Sequence, residues 1–254
     1  MNELALMTTD EARSALDTAR IAVLPVGSLE QHGPHLPLDT DAAVADALAR
    51  RVAEGLGDEA VLCPLVGYGL SEHHLGFAGT LTLRPATFMA VVEDVITSLH
   101  HHGIGRVLVV NGHGGNIDAL RLVARQLRRD TGVMVASVMW AVLAADVAAE
   151  VAISDSYGHA CEVETSVAMA LFGDRVRLDL LDQPRERRSH DEMTDPPRGV
   201  VDEPVWFHEW TTDGAIGSPS AADAAGGEAI VDTFVDRAVA YARRMVDRPI
   251  PGMT

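Results

Sequence analysis

The chain has few of the features that define secreted or membrane proteins. It contains only two cysteines in 254 residues, Cys63 and Cys161. Two cysteines are too few for a disulfide framework, so we expect both to be free thiols in a reducing compartment. Residues 1–10 lack a basic region followed by a long apolar run, and no apolar run approaches the length of a transmembrane helix. We therefore expect a cytoplasmic protein without a membrane partner.

Basic residues are also scarce. The 20 Lys and Arg residues are outnumbered by 37 Asp and Glu residues, which gives a net charge of −17. This charge disfavours nonspecific binding to nucleic acid or to an anionic membrane surface. The 47% hydrophobic and 22% charged content fits a globular protein, and we expect one domain over residues 1–254.

Apolar periodicity predicts an alternation of strands and helices. The predicted strands are 20–27, 60–66, 105–110 and 133–140. The predicted helices are 9–19, 41–56, 86–102, 117–130, 160–172 and 222–246. This order indicates an α/β fold, a three-layer α/β/α sandwich with a mostly parallel sheet. The glycine-rich segment 67–85 is predicted to be a loop over a site, and the polar segment 182–220 a long excursion, either a flap or a subunit contact.

The first chemical motif, SLEQHGPHLPLDTD, spans Ser28 to Asp41. Glu30 and His32 follow an apolar strand and are two positions apart, so an extended chain directs both side chains the same way. Thr40 can cap the next helix, and Asp41 would return to the same place from the N-terminus of that helix. The pattern predicts a metal site at the mouth of a strand.

Two further histidines follow predicted strands. His113 lies in NGHGGN, directly after the strand 105–110, and His159 lies in GHACEVETS, beyond the strand 133–140. In open α/β sheets, ligands bind at the carboxyl ends of the strands. We therefore expect His113 and His159 to join Glu30 and His32 at one edge of the sheet.

GHACEVETS offers two carboxylates, Glu162 and Glu164. If a helix begins near His159, then His159 and Glu162 are neighbours on one helical face and Glu164 points elsewhere. Glu162 is then the predicted metal ligand, and Glu164 a supporting residue, either catalytic or structural; an extended conformation would undo this ranking. A rival hypothesis makes Cys161 a nucleophile acidified by a helix N-terminus, against the alternative of a small buried residue.

The predicted ligands together are carboxylates and imidazoles, and they exceed the needs of one tetrahedral ion. They suit two divalent ions bridged by Asp41. The set is Glu30, His32, Asp41, His113 and Glu162.

The three motifs SLEQHGPHLPLDTD, NGHGGN and GHACEVETS resemble the signature segments of the creatininase (creatinine amidohydrolase) family, over about residues 20–172. The resemblance implies a cytoplasmic α/β amidohydrolase, commonly a homohexamer, with two divalent ions such as zinc, manganese or iron. It implies that Glu30, Asp41 and His113 bind one metal, and that His32, Asp41 and Glu162 bind the other.

Creatininase itself has a metal-binding glutamate at the place of Gly115. The chain therefore resembles the NGHGGN branch of the family, in which the carboxylate matching Glu162 has that role. The branch includes formamide hydrolases of cofactor pathways and the peptidase of mycofactocin maturation.

The sequence thus predicts hydrolysis of a C–N amide bond in a small cyclic or formylated molecule by metal-activated water. His159 would pass the proton to the leaving nitrogen. The alternatives are a short-peptide peptidase of the mycofactocin-maturation type, a ring-opening hydrolase of an oxidised cyclic sugar, and a metal-binding structural or regulatory subunit that has lost catalysis.

Overall fold

A computed structural model describes residues 1–154, 158–182 and 204–250. Its centre is a five-stranded sheet in the order β1-β3-β2-β4-β5, and every strand pair in it is parallel. The strands are β1 (Asn2–Glu3), β2 (Ile21–Val26), β3 (Ala60–Leu62), β4 (Arg106–Asn111) and β5 (Met134–Met139).

Nine α-helices connect or cover these strands in the described part of the chain. They are α1 (Thr9–Thr18), α2 (Thr40–Leu56), α3 (Pro85–His101), α4 (Ile117–Asp130), α5 (Trp140–Leu143), α6 (Ala145–Val151), α7 (Glu162–Phe172), α8 (Phe207–Trp210) and α9 (Ala224–Asp247). Helices α2, α7 and α9 pack on one face of the sheet, and α1, α3 and α4 pack on the other.

The sheet is buried on both faces because its strands alternate between two cores. Ile21 and Val23 of β2 contact the core under α2 and α9, whereas Ala22 and Leu24 contact the core under α3 and α4. A parallel strand covered by helices on both sides must be apolar throughout, as β2 is. The predicted three-layer α/β/α sandwich is confirmed.

Strand β3 is shorter than the predicted 60–66. Pro64 has no N–H to give to the ladder, so regular pairing ends at Leu62. Only Val66 pairs again, in an isolated bridge to Val26. The chain then enters the predicted loop 67–85, which contains one 3-10 turn at Glu72–His74 before α3 begins.

Helix α7 begins at Glu162, two residues later than predicted. Ala160 has a positive φ of 48°, which no helix can continue. His159 instead forms an isolated bridge with Ile216, and its carbonyl accepts a hydrogen bond from Ile216 N at 2.8 Å. His159 therefore precedes the helix and lies on extended chain.

The predicted excursion 182–220 falls mostly outside the described residues. Its last part, from 204 onward, includes α8, whose Phe207 packs against His74 and His159. No helix in the described segments is long and apolar enough to span a bilayer.

Candidate metal centre

The carboxyl ends of β2 and β4 bring three predicted residues together. Glu30 follows β2, His113 follows β4, and Asp41 lies in the first turn of α2. A Cβ atom added at Gly112 would lie 2.1 Å from the Asp41 carbonyl oxygen. Only glycine allows α2 to approach β4 this closely, so Gly112 brings Asp41 within reach of His113.

Glu30, Asp41 and His113 form the first group of converging ligand atoms. His113 Nδ1 lies 2.9 Å from Asp41 Oδ2, and His113 Nε2 lies 3.3 Å from Glu30 Oε2. All three residues are buried, and their ligand atoms lie within 4.8 Å of one another. The structure thus brings together the predicted residues of one metal position.

His32, Asp41 and Glu164 form a second group. His32 Nε2 lies 3.2 Å from Asp41 Oδ1 and 3.8 Å from Glu164 Oε1. Asp41 belongs to both groups and turns a different oxygen to each. A third group joins Glu30 and His32 to His159. The arrangement matches two neighbouring cation positions that share Asp41.

The histidines of these groups have a common hydrogen-bonding pattern. Each gives one ring nitrogen to a backbone carbonyl, which can only accept, so that nitrogen carries the proton. The bonds run from His32 Nδ1 to Glu30 O (3.1 Å), from His113 Nε2 to Leu70 O (2.8 Å) and from His159 Nε2 to Gln31 O (2.7 Å). The other nitrogen of each ring faces the carboxylates, and in the neutral ring it offers a lone pair to a cation. Metal-binding histidines are typically fixed in this way.

Two buried carboxylate oxygens in the centre make no hydrogen bond, Glu30 Oε1 and Asp41 Oδ2. A buried anionic oxygen without a donor is costly unless a cation is near. Carboxylate oxygen and imidazole nitrogen are ligands that suit zinc, manganese and iron. The residues present therefore fit divalent ions.

Ionisation in the centre is strongly perturbed. Burial raises the pKa of Glu30 to about 7. Burial opposes the charged form of Asp41 as well, but the adjacent His32 and His113 imidazoles hold the pKa of that carboxyl below its ordinary range. Burial acts to lower the pKa of His113, yet Glu30 and Asp41 raise it to about 9. Such clusters of shifted groups are typical of functional sites.

His159 lies at the edge of the centre. Its Nδ1 atom lies 3.9 Å from Glu30 Oε1 and 4.0 Å from Glu164 Oε2. Burial, followed by the nearby His32, lowers the pKa of His159 to about 3. The ring is therefore neutral, and its Nδ1 atom faces the carboxylates at the edge of the centre.

The predicted geometry of Glu162 and Glu164 is wrong. Among the described residues, Glu162 belongs to none of the converging groups, and Glu164 stands in its place. Glu162 instead accepts hydrogen bonds from the backbone N–H groups of Ile153 (3.1 Å), Ser154 (2.8 Å) and Ser218 (2.7 Å). The helical ranking failed because His159 lies before α7, so the expected spacing along one helix does not apply.

Glu164 is buried and directed into the centre. Its Oε1 atom faces His32, while Oε2 accepts a hydrogen bond from Ala160 N at 2.6 Å. Burial acts to raise the pKa of Glu164, but His32 lowers it overall. Glu164 is thus an ionised carboxylate with one oxygen held by backbone and the other facing His32 Nε2.

The hypothesis of a nucleophilic Cys161 finds no support in the structure. The residue is only 3% exposed, and burial raises the pKa of its thiol to about 12. A thiol with this pKa is protonated at neutral pH and is a poor nucleophile. Cys161 belongs to the core under α7, which fits the alternative of a small buried residue.

Sequence reasoning missed three residues that contact the centre. Ser71 Oγ donates a 2.5 Å hydrogen bond to Glu30 Oε2, and His74 Nε2 lies 3.2 Å from Glu30 Oε1. Both belong to the loop 67–85, which the sequence placed over a site without naming a residue. The third is Phe207 of α8, whose ring centroid lies 4.0 Å from that of His74 and 4.8 Å from that of His159. Nothing in the local sequence marks Phe207.

Comparison with known proteins places the same chain among hydrolases. The family model Creatininase, described as creatinine amidohydrolase, matches residues 5–242. The mycofactocin precursor peptide peptidase of Mycolicibacterium smegmatis is 37% identical over 68% of this chain and 66% of its own length. The peptidase of the same name from Mycobacterium ulcerans is 30% identical over 98% of this chain and 94% of its own. The creatinine amidohydrolase of Pseudomonas putida is 33% identical over 89% of each chain.

Solved structures agree with these relatives. A structure of a putative creatinine amidohydrolase from Bacteroides fragilis superposes with a TM-score of 0.84, at 25% identity over 98% of both chains. A manganese creatininase superposes with a TM-score of 0.80, at 26% identity over 97% of this chain and 99% of that one.

Proposed function

Because the chain belongs to the creatininase family, we propose that it hydrolyses a C–N amide bond with two divalent metal ions in the centre described above. One observation supports this most strongly. Three buried histidines each donate one ring N–H to a backbone carbonyl and turn the other nitrogen toward buried carboxylates, two of whose oxygens make no hydrogen bond.

The ligand assignment follows the two groups that share Asp41. Glu30, Asp41 and His113 would hold one ion, and His32, Asp41 and Glu164 the other. Zinc, manganese and iron suit these ligands. Bound ions would polarise the amide carbonyl and lower the pKa of the attacking water.

The protein's own proton acceptor is His159. Its Nδ1 atom would take a proton from the attacking water and return it to the leaving nitrogen. Glu30 and Glu164, each about 4 Å from this atom, would stabilise the protonated ring. Phe207 covers His159 and His74 and would keep bulk water from that side.

The first substrate class that we propose is a small cyclic or formylated amide. The similarity to creatinine amidohydrolase supports this class, as does a 31% identity, over 41% of this chain, to a deformylase from Methanococcus voltae. Creatinine itself fits less well. A Cβ at Gly115 would lie 2.4 Å from Leu70 O and 2.5 Å from His113 Nε2, so this backbone leaves no room for the glutamate of creatininase.

A short peptide is the second candidate. It is favoured by the peptidases whose similarity extends over nearly the whole chain. A ring-opening hydrolase of an oxidised cyclic sugar stays a third possibility within the family, supported by a 30% identity over 42% of this chain to a 3-dehydro-scyllo-inosose hydrolase of Thermotoga maritima.

The test is a turnover assay on protein that has been stripped of metal and then reloaded with zinc, manganese or iron. The substrates are creatinine, N-formyl amines and short peptides, with release of amine or amino acid as the readout. We expect chelator-sensitive cleavage of at least one amide. Two ions per chain without turnover of any amide would instead favour a structural or regulatory metal protein.

We also propose that the chain forms one domain over residues 1–254 and assembles as a homohexamer in the cytoplasm. Two buried free thiols, Cys63 and Cys161, support a reducing compartment, and the family resemblance supports the hexamer. Light scattering at micromolar concentration measures the assembly, and a monomer mass would contradict it.

A further inference from the structure

His74 differs from the other buried histidines of the centre. The outer nitrogens of His32, His113 and His159 donate to carbonyl oxygens, but the outer nitrogen of His74 faces an amide. His74 Nδ1 lies 2.8 Å from Gln31 Nε2. The protonation of His74 therefore depends on which way the Gln31 amide points.

The orientation of the Gln31 amide is determined by two backbone groups. Gly33 N, which can only donate, lies 2.9 Å from Gln31 Oε1. Gly214 O, which can only accept, lies 3.2 Å from Gln31 Nε2. Both contacts require the oxygen toward Gly33 and the NH₂ group toward Gly214 and His74.

An NH₂ group opposite His74 Nδ1 requires a lone pair on that nitrogen. The ring proton must then be on Nε2, which lies 3.2 Å from Glu30 Oε1. The ring packs against Phe207 at 4.0 Å, His73 at 4.3 Å and His159 at 4.4 Å between centroids, and a flipped ring would place a C–H group against the Gln31 amide. His74 thus presents an N–H where the other three histidines present lone pairs.

We propose that Gln31 holds His74 in the tautomer with the proton on Nε2, so that His74 is not a metal ligand but a positioning residue whose N–H faces Glu30 Oε1. A protonated nitrogen cannot bind a cation, which keeps His74 from competing with His113 for the ion. Its N–H lies 3.2 Å from Glu30 Oε1 without hydrogen-bond geometry, so it acts on that oxygen through its partial charge, while Ser71 holds the other oxygen. The role of His74 rests on the proposed metal function, but its tautomer does not.

The tautomer can be measured without turnover. In protein with ¹⁵N-labelled histidine, the nitrogen that carries the proton resonates far upfield of the nitrogen with a lone pair, and the ring C–H protons correlate with both. The spectra are recorded on metal-free and on zinc-loaded protein, since zinc is diamagnetic. His74→Asn identifies the His74 signals by their loss, and the exposed His101→Asn is the matched control. We expect the proton on Nε2, and a proton on Nδ1 would overturn the proposal.

Gln31→Glu tests whether the Gln31 amide sets the tautomer of His74. A carboxylate keeps the acceptor for Gly33 N but removes the donor to His74, so we expect the His74 proton to move to Nδ1. Gln126→Glu makes the same chemical change in α4, outside the centre, and we expect it to leave the His74 signals where they are. Unchanged His74 signals in Gln31→Glu would show that the amide does not set the tautomer.

His74→Gln and His74→Leu test the positioning role in zinc-loaded protein. Both variants should keep two ions per chain, because His74 is not a ligand. We expect His74→Leu to lower kcat by about 10–100-fold with little change in KM, the range typical of residues that orient metal ligands. Glutamine retains an N–H donor and should recover part of that loss. An ion lost in both variants would make His74 a ligand and refute the inference, whereas wild-type protein that binds no metal would refute the proposed function and leave the tautomer standing.

Discussion

Glu162 and Glu164 lie two residues apart at the start of one helix and have opposite environments. Glu162 is surrounded by N–H donors, and its two oxygens accept three backbone hydrogen bonds. Glu164 has one such bond, from Ala160 N, and turns its second oxygen toward His32. Both carboxylates are buried. They differ in whether backbone N–H groups donate hydrogen bonds to both carboxylate oxygens.

This difference separates a structural carboxylate from a candidate metal ligand. Glu162 joins the end of α6 to the segment before α9, because Ile153 and Ser154 lie on one side and Ser218 on the other. Glu164 completes a group of ligand atoms that could hold an ion. A buried carboxylate that already has its donors gains little from a cation, whereas one with an oxygen that no backbone N–H group binds gains much.

The largest expected effect comes from Glu164→Gln. A neutral amide replaces a charged oxygen ligand, so we expect the variant to lose one of two ions. Turnover should fall by at least about 100-fold, beyond the 10–100-fold range of residues that only support a ligand. Elemental analysis and kcat/KM measure both effects. Two tightly bound ions in this variant would contradict the assignment of Glu164.

Metal removal should come next in size. At a free metal concentration one hundred times its dissociation constant, one bound ion stabilises a fold by about 2.7 kcal/mol. We expect a chelator to lower the Tm of the wild type and of Glu162→Gln by similar amounts, and that of Glu164→Gln by less. If the chelator lowers the Tm of Glu162→Gln and Glu164→Gln by equal amounts, the proposed difference between the two residues is wrong.

Glu162→Gln should weaken the fold and keep both ions. The amide NH₂ group would face backbone N–H donors that now bind carboxylate oxygen. Leaving such buried donors without an acceptor costs about 1–3 kcal/mol. Denaturant unfolding measures the loss, and elemental analysis is the control. Loss of an ion together with unchanged stability would restore Glu162 as the ligand.

The pH dependence of stability gives a smaller and more specific test. Burial acts to raise the pKa of Glu162, but the backbone donors, Ser218 first, hold it below its ordinary value of 4.5. A lowered pKa means that the unfolded chain binds the proton more readily, so the carboxylate stabilises the fold above about pH 4.5. The stability difference between wild type and Glu162→Gln should therefore shrink as the pH falls below that value. A difference that grows toward acid pH would have the wrong sign.

Cys161→Ala should have the smallest effect. The thiol is buried beside Glu162, so its removal leaves a small cavity that costs about 1 kcal/mol. We expect both ions to remain and turnover to stay within about twofold of wild type, because a protonated thiol takes no part in the chemistry. Abolished turnover with both ions bound would bring back the thiol as nucleophile.

Much of the fold was predictable from local pattern. The apolar runs at β2 and β4 are buried on both faces, and such strands are recognised by composition alone. Helix α4 has the predicted bounds, because its apolar residues recur at helical spacing and identify the face that packs on the sheet. The short helices α5 and α6 were missed, since a predicted strand runs directly into them without a turn signal.

The candidate centre was predictable where one strand or one turn carries the residues. Glu30, His32 and His113 follow strand ends. Because sites in open α/β sheets form at the carboxyl ends of strands, the sequence alone predicts that these residues lie close together. His74 and Phe207 were not predictable, because they reach the centre from a loop and from a short helix far along the chain. Their positions depend on tertiary packing against His159 and on the amide of Gln31.

By itself, the sequence determined the α/β class, the parallel sheet and which segments supply the metal-type residues, because periodicity and strand ends are local properties of the chain. Only the tertiary structure decided between Glu162 and Glu164. That choice depends on the positive φ of Ala160, which ends the extended chain at His159 and starts α7 two residues later. It depends also on Ile153 and Ser218, whose N–H groups come from distant segments and satisfy Glu162 before any ion could. A carboxylate binds a metal only if the backbone around it leaves an oxygen free, and no local pattern records that.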